Sequence, residues 1–373
     1  MKVLELTGEP ILSGGQEAFF INVMKHINMD NMCIDVLTLY NCENSYYRQI
    51  IEKLHGSLFE LNLTFNPGGL RANILIPLIK FLRIHKYDVV HVHSGSVSVL
   101  TICTLACKVC GVKNIIVHSH CTGFRRSFKY NLIKSFSYPV LRYLPNQYCA
   151  CSYEAGIWKF PKKIVQKRLK IINNGIDLDL FSPCEEMRRD MRSRLKLSDD
   201  TLVLGNVGRF AFQKNHEYLI RLLKILVSQK SNVKLLLVGD GELMDDVVEQ
   251  VSQNELEDYV IFTGNVDKVQ DYMQAMDIFL FPSRFEGLGL VGVEAQAVGV
   301  PVIASEKVPR TMKIVDDVYF LPLSDMNLWM EKIQECSRHD RAYNKEAIKR
   351  AGYDINQTAE EIRKLYFKEY GRK

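Results

Sequence analysis

The chain has 373 residues, too many for one ordinary hydrophobic core, so its length predicts two domains. With 47% hydrophobic and 24% charged residues it has the composition of a globular protein, and its most apolar helical stretch, 97–110, is too short to cross a bilayer. The net charge of +5 is unevenly spread, because between Leu61 and Tyr153 eleven Lys and Arg residues accompany a single acid, Asp88. The first domain should therefore carry a positive face suited to an anionic partner: nucleic acid, a phosphorylated substrate or an anionic membrane.

The first residues and the cysteines indicate the compartment. The opening MKVLELTGEP leads directly into a strand and lacks the apolar segment of a signal peptide. Ten cysteines without such a signal are typical of reduced thiols, so we expect a cytoplasmic protein. Cys107 and Cys110 form a CxxC pair that continues an apolar helical face with Cys103, and this favours small core residues over metal or redox chemistry.

Residues 1 to about 170 alternate apolar runs with helical segments, which predicts a parallel sheet covered on both faces. The predicted strands are 3–6, 33–39, a segment around Leu58, 88–93, 114–120 and 148–152. The loop after the first strand contains Gly14 and Gly15 at the sheet edge where ligands bind, although a turn of this kind needs no ligand. A dinucleotide site would require G-x-G-x-x-G, which this loop lacks.

Two neighbouring strands end in histidines. In NIIVHSH, strand alternation places His118 and His120 on the same side, close to the carboxyl edge of the sheet. His91 and His93 have the same spacing on the preceding strand, with a weaker case for function. A lone histidine is usually a packed or surface residue, and the strand-end position by itself only makes His120 a candidate for a substrate contact.

The segment 121–146 interleaves five basic residues with six aromatic residues and has no acid. Such a pattern can bind nucleic acid, lie in a membrane interface or form an ordinary amphipathic helix on the sheet. We expect part of it to pack, while Arg125, Arg126 and Lys129 point outward toward anionic lipid or a lipid diphosphate.

The second half begins with KIINNGIDLDLFSP (170–183), a strand, a polar turn and an exit at a proline, and a second sheet opens with TLVLGNVGRF. Arg209 follows this strand and Lys214 follows a short turn, so the two cations can clamp a diphosphate. Strands with glycine turns are also predicted at 234–242 and 259–266.

The stretch 277–305 predicts a strand, a glycine turn, a short helix ending near Gly299 and a second strand, which together form one parallel βαβ unit. A helix start after glycines suits an anion such as a diphosphate. Glu286 enters the turn and Glu294 lies about two helical turns later. Carboxylates repel phosphate, so these two should face sugar or ribose hydroxyls; the alternative is a solvated helix face.

Three stretches together resemble the retaining glycosyltransferases of family 4: EGLGLVGVEAQAVGVPV, GNVGRFAFQKN and NNGIDLDLF, in that family's spacing. The resemblance implies an α/β fold of the GT-B type, with two Rossmann-like, doubly wound parallel-sheet domains facing across a cleft. An acceptor-binding domain would span 1–170 and be joined by a C-terminal helix within 355–373. A hinge at 171–183 would lead to a donor-binding domain at 184–354.

The resemblance also implies a role for each matching residue. His120 and Glu286 would act at the transferred sugar, Glu294 would bind the donor ribose, and Arg209 with Lys214 would bind the diphosphate. Further contacts to the donor diphosphate are expected from Gly15, Gly287, Leu288, Gly289 and Leu290, and contacts to the base from Gly239, Gly264, Asn265 and Val266.

The implied reaction is the transfer of a hexose from a UDP- or GDP-sugar to a hydroxyl of a lipid-linked saccharide in bacterial capsule or exopolysaccharide assembly. It would retain the anomeric configuration and use neither a metal nor a cofactor. We expect peripheral contact with the inner face of the plasma membrane and no nucleic-acid partner. Two alternatives stay open: a nucleotide-sugar epimerase on the same fold, and a non-catalytic GT-B scaffold subunit.

Overall fold

The computed structural model describes residues 1–11, 15–65, 71–120, 128–229, 232–337 and 341–368. The chain divides into two compact units. Unit 1 consists of Met1–Gly175 and Gly352–Lys373, and unit 2 consists of Ile176–Ala351. The chain therefore changes unit within the polar NNGID turn and again at a glycine before the last helix.

Unit 1 is built on a seven-stranded parallel sheet in the order β3-β2-β1-β4-β5-β6-β7. Its strands are β1 (Lys2–Thr7), β2 (Cys33–Thr38), β3 (Leu58–Glu60), β4 (Val89–His93), β5 (Asn114–Ser119), β6 (Gln147–Ala150) and β7 (Leu169–Ile171). Its first helices are α1 (Gly15–His26), α2 (Ser45–Lys53), α3 (Leu75–His85), α4 (Val97–Val109), α5 (Phe128–Tyr143), α6 (Tyr153–Lys159) and α7 (Lys162–Lys167).

Two apolar layers enclose this sheet, because alternate residues of each strand point to opposite faces. On β1, Val3 joins the cluster that contains α1, while Leu4 joins the cluster that contains α3 and α4. Cys103 and Cys107 lie fully buried in that second layer, as the apolar pattern predicts. Strands covered on both faces read as nearly continuous apolar runs, and for this reason they are visible in the sequence.

Unit 2 is also built on a parallel sheet, which has six strands in the order β10-β9-β8-β11-β12-β13. The strands are β8 (Leu202–Val207), β9 (Val233–Val238), β10 (Val260–Phe262), β11 (Ile278–Phe281), β12 (Val302–Ser305) and β13 (Val318–Leu321). The helices are α8 (Glu185–Arg194), α9 (His216–Ser228), α10 (Met244–Gln253), α11 (Val269–Ala275), α12 (Leu290–Ala297), α13 (Met326–Cys336) and α14 (Lys345–Arg350).

The last helix, α15 (Ile355–Tyr366), belongs to unit 1. Asp354 caps it by accepting a hydrogen bond from the N–H of Asn356. Its buried face packs in the same apolar layer as α1. The amides of Asn114 and Gln147 donate to the Leu365 carbonyl at 2.8 and 2.7 Å, which satisfies a carbonyl that the helix end leaves without a partner.

The predicted α/β fold with two parallel sheets is confirmed. The strand with a glycine turn predicted at 259–266 is present as β10, Val260–Phe262, followed by a turn at Gly264. β10 ends there because Gly264 adopts a left-handed conformation, with φ of 65°, and turns the chain away. Among the residues that the structure describes, no helix combines the length and hydropathy needed to cross a bilayer.

Candidate active site

The carboxyl edge of the unit 2 sheet brings together the loops that follow β8 and β11. The strand order reverses between β8 and β11, and ligands of open parallel sheets bind at such a point. The loop after β8 carries Arg209 and Lys214, and the loop after β11 carries Glu286 and leads into α12. Residues far apart in the sequence therefore meet at this edge.

Glu286 is held by three side chains. Its carboxylate accepts hydrogen bonds from Lys214 Nζ at 2.8 Å, from Gln213 Nε2 at 3.0 Å and from Ser283 Oγ at 2.7 Å. The Lys214 and Glu286 side chains are only 16% and 8% exposed. The predicted phosphate ligand and the predicted sugar ligand thus form one ion pair, and the sequence analysis did not identify Gln213 or Ser283.

Glu294 lies in α12 near the same lysine. Burial raises the pKa of Glu294 to about 7, although the positive charge of Lys214 opposes this shift. Glu294 lies about one helical turn into α12 rather than the predicted two, because α12 begins only at Leu290. Glu286 lies in the preceding turn, and Gly289 makes the entry with a left-handed φ of 73° that favours glycine.

The start of α12 provides amides without helical partners, which suits an anion. A side chain at Gly287 would meet open space, so the turn at this residue is accessible. Leu288 and Leu290 are half-buried. Whether these residues contact a diphosphate stays a prediction.

Arg209 pairs with a different carboxylate from Lys214. Its Nε donates to Glu242 Oε2 at 2.9 Å, and both side chains are more than half exposed. An exposed pair of this kind contributes about 0–1 kcal/mol to stability, so a phosphate can replace the carboxylate as its partner.

The predicted base-binding glycines have a structural role of their own. The N–H of Gly239 donates to the carbonyl of Gly264 at 3.0 Å and links the ends of two neighbouring strands. A Cβ on Gly239 would lie 2.2 Å from the Gly208 carbonyl oxygen, so only glycine fits there. Asn265 is exposed and Val266 is half-buried beside this link. Their contact with a base stays a prediction.

Four histidines come together at the carboxyl edge of unit 1. The rings of His118 and His120 stack with their centroids 4.1 Å apart, and His93 Nδ1 lies 2.7 Å from His120 Nε2. His91 and His93 bring the preceding strand into the cluster, with their centroids 4.0 Å apart. The weaker candidates of the sequence analysis are therefore neighbours of the stronger one.

A buried carboxylate, Glu5, lies beneath these rings. It accepts hydrogen bonds from His93 Nε2 and from the Tyr366 hydroxyl of α15. The sequence analysis did not identify Glu5, although an acid inside the apolar run VLEL was a visible signal. Ring nitrogens of His91, His93 and His118 lie within 4.8 Å of one another, which is metal-ligand spacing, but here they bond within the cluster.

Burial strongly affects the pKa values, and thus the protonation states, of this cluster. Burial alone would raise the pKa of Glu5, but the charges and hydrogen bonds of His91 and His93 outweigh it and hold that pKa well below its usual range. Burial lowers the pKa of His93 to about 4, and it lowers the pKa of His120 well below the usual range. At neutral pH Glu5 is therefore ionised, and His93 and His120 are neutral.

Glu9 is a second acid at this edge that the sequence analysis missed. Its Oε1 accepts hydrogen bonds from Ser94 Oγ at 3.1 Å and from the N–H of Gly95 at 3.3 Å, and burial raises its pKa. Gly15 begins α1 with open space around it, while Gly14 is outside the described residues.

The predicted basic contacts fall largely outside the described part of the chain. Arg125 and Arg126 lie in the segment 121–127, which is not described, and the side chain of Lys129 is not described either. Within α5, large apolar side chains are exposed instead: Phe128, Leu132, Phe136 and Tyr143.

Two units of this kind, each built on a parallel sheet, have the architecture of the GT-B class. Residues 13–180 match the family described as Glycosyltransferase Family 4, and residues 187–350 match Glycosyl transferases group 1. The chain belongs to the family 4 glycosyltransferases of the GT-B fold.

Relatives and solved structures agree with this assignment. The chain is 29% identical to "Putative glycosyltransferase EpsF" of Bacillus subtilis, over 95% of this chain and 93% of that protein. It is also 29% identical to the UDP-Gal:alpha-D-GlcNAc-diphosphoundecaprenol alpha-1,3-galactosyltransferase of Escherichia coli, over 62% and 61% of the two chains. Anabaena HepE with UDP-glucose superposes with a TM-score of 0.72 at 21% identity, over 97% of this chain and 99% of HepE, which supports the fold.

Proposed function

We propose that this glycosyltransferase moves a hexose, with retention, from a UDP-sugar to a hydroxyl of a lipid-linked saccharide in bacterial surface polysaccharide assembly. The observation that carries the donor half is the cluster of Lys214, Glu286 and Glu294 beside the start of α12. One cation and two carboxylates at a sheet edge fit a ligand that combines phosphate with vicinal hydroxyls. A scaffold protein needs no such cluster.

The unliganded ion pair suggests how the donor binds. When a diphosphate arrives, Lys214 exchanges its carboxylate partner for phosphate oxygens, and Glu286 becomes available to accept hydrogen bonds from sugar hydroxyls. Arg209 likewise exchanges Glu242 for phosphate. In this proposal the two cations stabilise the leaving diphosphate, and no metal ion is required.

The proposed chemistry uses the leaving group as the base. As the bond between the anomeric carbon and the diphosphate breaks, charge collects on the phosphate oxygens. The acceptor hydroxyl attacks from the same face and gives its proton to this diphosphate, which accounts for retention without a covalent enzyme intermediate. Lys214, the amides of α12 and Arg209 would lower the barrier by stabilising that charge.

The acceptor part of this proposal is supported by the names of two relatives and by one exposed surface of unit 1. The Escherichia coli relative is named for an acceptor on diphosphoundecaprenol, and a relative of Staphylococcus aureus is named for capsular polysaccharide biosynthesis. In unit 1, α5 exposes Phe128, Leu132 and Phe136, which are four residues apart and share one helix face. We propose that this face inserts into the membrane interface near the lipid-linked acceptor.

The first experiment is a thermal-shift panel of UDP, GDP, ADP, CDP and NAD, followed by sugar conjugates of the nucleotide that binds. Stabilisation by UDP above the others, and then transfer from its conjugate to a short polyprenyl-diphosphate saccharide, is the expected result. A shift with NAD alone would contradict the donor site. Conversion of the donor to its epimer without acceptor would replace the transferase by an epimerase.

A further inference from the structure

A row of buried side chains leads from the core of unit 1 to His120. The Glu5 carboxylate contacts His93 Nε2, and the other ring nitrogen of His93 lies 2.7 Å from His120 Nε2. Glu5 and His93 are 1% and 0% exposed, whereas the ring of His120 is half-buried. The row therefore connects a fixed interior charge to the outermost histidine.

The carboxylate determines the direction of each hydrogen bond. Glu5 is ionised and can only accept, so His93 must carry its proton on Nε2. His93 is neutral, so its Nδ1 has a lone pair and accepts from His120 Nε2–H. A neutral His120 with its proton on Nε2 has an unprotonated Nδ1.

A second row starts at the same carboxylate and obeys the same rule. Tyr366 donates its hydroxyl proton to Glu5, so its oxygen accepts from His91 Nδ1–H at 3.1 Å. The Nε2 of His91 then accepts from His118 Nδ1–H at 3.2 Å.

With these directions, each row ends in a ring nitrogen that has a lone pair and no proton. This nitrogen is His118 Nε2 in one row and His120 Nδ1 in the other. These are the ring nitrogens of the cluster that have no hydrogen-bond partner among the described residues. The same two nitrogens end the rows in either direction, but the opposite direction would leave two buried N–H groups without acceptors and would set a lone pair of His93 against the carboxylate, so it is disfavoured.

We propose that Glu5 and His93 are positioning residues that hold His120 in the Nε2–H tautomer and thereby present its Nδ1 as a hydrogen-bond acceptor to a substrate hydroxyl. This inference rests on the proposed function for the identity of the ligand. The acceptor character of Nδ1 selects an O–H or N–H group and repels phosphate and carboxylate oxygens. Nδ1 is shielded from solvent, so a ligand must displace the atoms that cover it.

Nitrogen-15 NMR of the whole protein with labelled histidine tests the assignment without any substrate. The His120 signals, identified by their loss in His120→Gln, should show a protonated Nε2 and an unprotonated Nδ1. A proton on Nδ1 would overturn the inference. Stoichiometric zinc in the purified protein, whose removal by a chelator shifts the histidine signals, would also overturn it in favour of a metal site.

Steady-state kinetics test the positioning role. In His93→Met, the methionine sulfur cannot accept a hydrogen bond as strong as the one His93 accepts, so His120 should no longer be held in one tautomer. KM for the sugar substrate should then rise about tenfold, the equivalent of one hydrogen bond. His93→Gln can donate to Glu5 and accept from His120, and it should recover much of the loss. Tyr366→Phe is the matched control, since it disturbs the same carboxylate but leaves the row to His120 intact.

Failure of the positioning role can be distinguished from failure of the proposed function. If no sugar donor supports transfer, the proposed function fails, while the NMR assignment still decides the tautomer. If transfer occurs with equal KM values in His93→Met and His93→Gln at unchanged folding, the positioning role is wrong and the transferase stands. Should His93→Met fail to fold, the wild-type tautomer remains the deciding measurement.

Discussion

At the scale of single residues, Lys214 links the parts of the candidate donor site. It donates to Glu286, it opposes the raised pKa of Glu294, and its side chain packs against Gly208 at the end of β8. Because Lys214 is paired with Glu286, a phosphate that binds to this lysine must replace the Glu286 carboxylate as its partner.

We expect Lys214→Ala to weaken UDP binding by roughly 1.5–3 kcal/mol, the contribution of a hydrogen bond to a charged group. Isothermal titration calorimetry measures this directly. Lys224→Ala is the control, because Lys224 is exposed on α9 and contacts only Asn254 among the described residues. Equal affinity in both variants would remove Lys214 from the phosphate site.

Glu286→Gln should separate binding from turnover. The substitution removes the carboxylate that competes for Lys214, so UDP should bind severalfold more tightly, by up to about 1 kcal/mol. Turnover should fall by about 100-fold or more, because the charge-assisted contact to the sugar is lost. Weaker UDP binding together with normal turnover would contradict this arrangement.

Glu294 should make donor affinity depend on pH. Its pKa near 7 means that it is mostly protonated at pH 6 and mostly ionised at pH 8. A carboxylate accepts hydrogen bonds from both ribose hydroxyls, so affinity should rise with pH, by about five- to tenfold across this window. The ligand should be a UDP-sugar, whose diphosphate does not titrate here, and Glu294→Gln should give a flat profile.

At the scale of elements, the sequence predicted what depends on local pattern. Buried strands read as apolar runs, and the strand ends located Arg209 and His120 correctly at sheet edges. The pairing of Lys214 with Glu286 could not be predicted, because it joins residues 72 positions apart across two loops. Glu5 was missed for the same reason, since its partners lie on β4 and α15.

The exact start of a helix is a second feature that the local sequence does not fully determine. A glycine-rich turn predicts a helix start, but which glycine takes the left-handed conformation depends on tertiary packing. Gly289 does so, while Gly292 lies inside α12 against Met312. The helix therefore begins late enough that Glu294 lies only about one helical turn into it.

The exposed apolar face of α5 gives a prediction at this scale. Phe128 and Phe136 are 85% and 76% exposed, and burying one phenylalanine in a lipid interface contributes about 1.5–3 kcal/mol. The double variant Phe128→Ser with Phe136→Ser should therefore bind anionic vesicles at least about tenfold more weakly in a sedimentation assay. Tyr343→Ser, at an exposed aromatic residue of unit 2, should bind as the wild type does.

At the scale of the whole molecule, the chain returns to its first unit at the end. Residues of α15 complete the apolar layer that contains β1 and α1, so we expect unit 1 to need this helix to finish folding. Tyr366, near the end of that helix, also satisfies Glu5 in the core of the same unit. The stability of unit 1 and the hydrogen bonding of Glu5 therefore depend on a helix separated from the first 175 residues by all of unit 2.

Ile362→Ala tests this dependence. Ile362 is fully buried in the layer shared by α1 and α15, so its truncation should lower the free energy of unfolding by about 2–5 kcal/mol, because it leaves a cavity that the layer cannot fill. Urea unfolding of the whole chain, followed by fluorescence and by circular dichroism, provides the measurement. Glu360→Ala is the control on the same helix: its exposed ion pair with Lys364 contributes little, and the change should stay within about 0.5 kcal/mol. If the two variants unfold alike, α15 is an accessory to unit 1 rather than a part of its core.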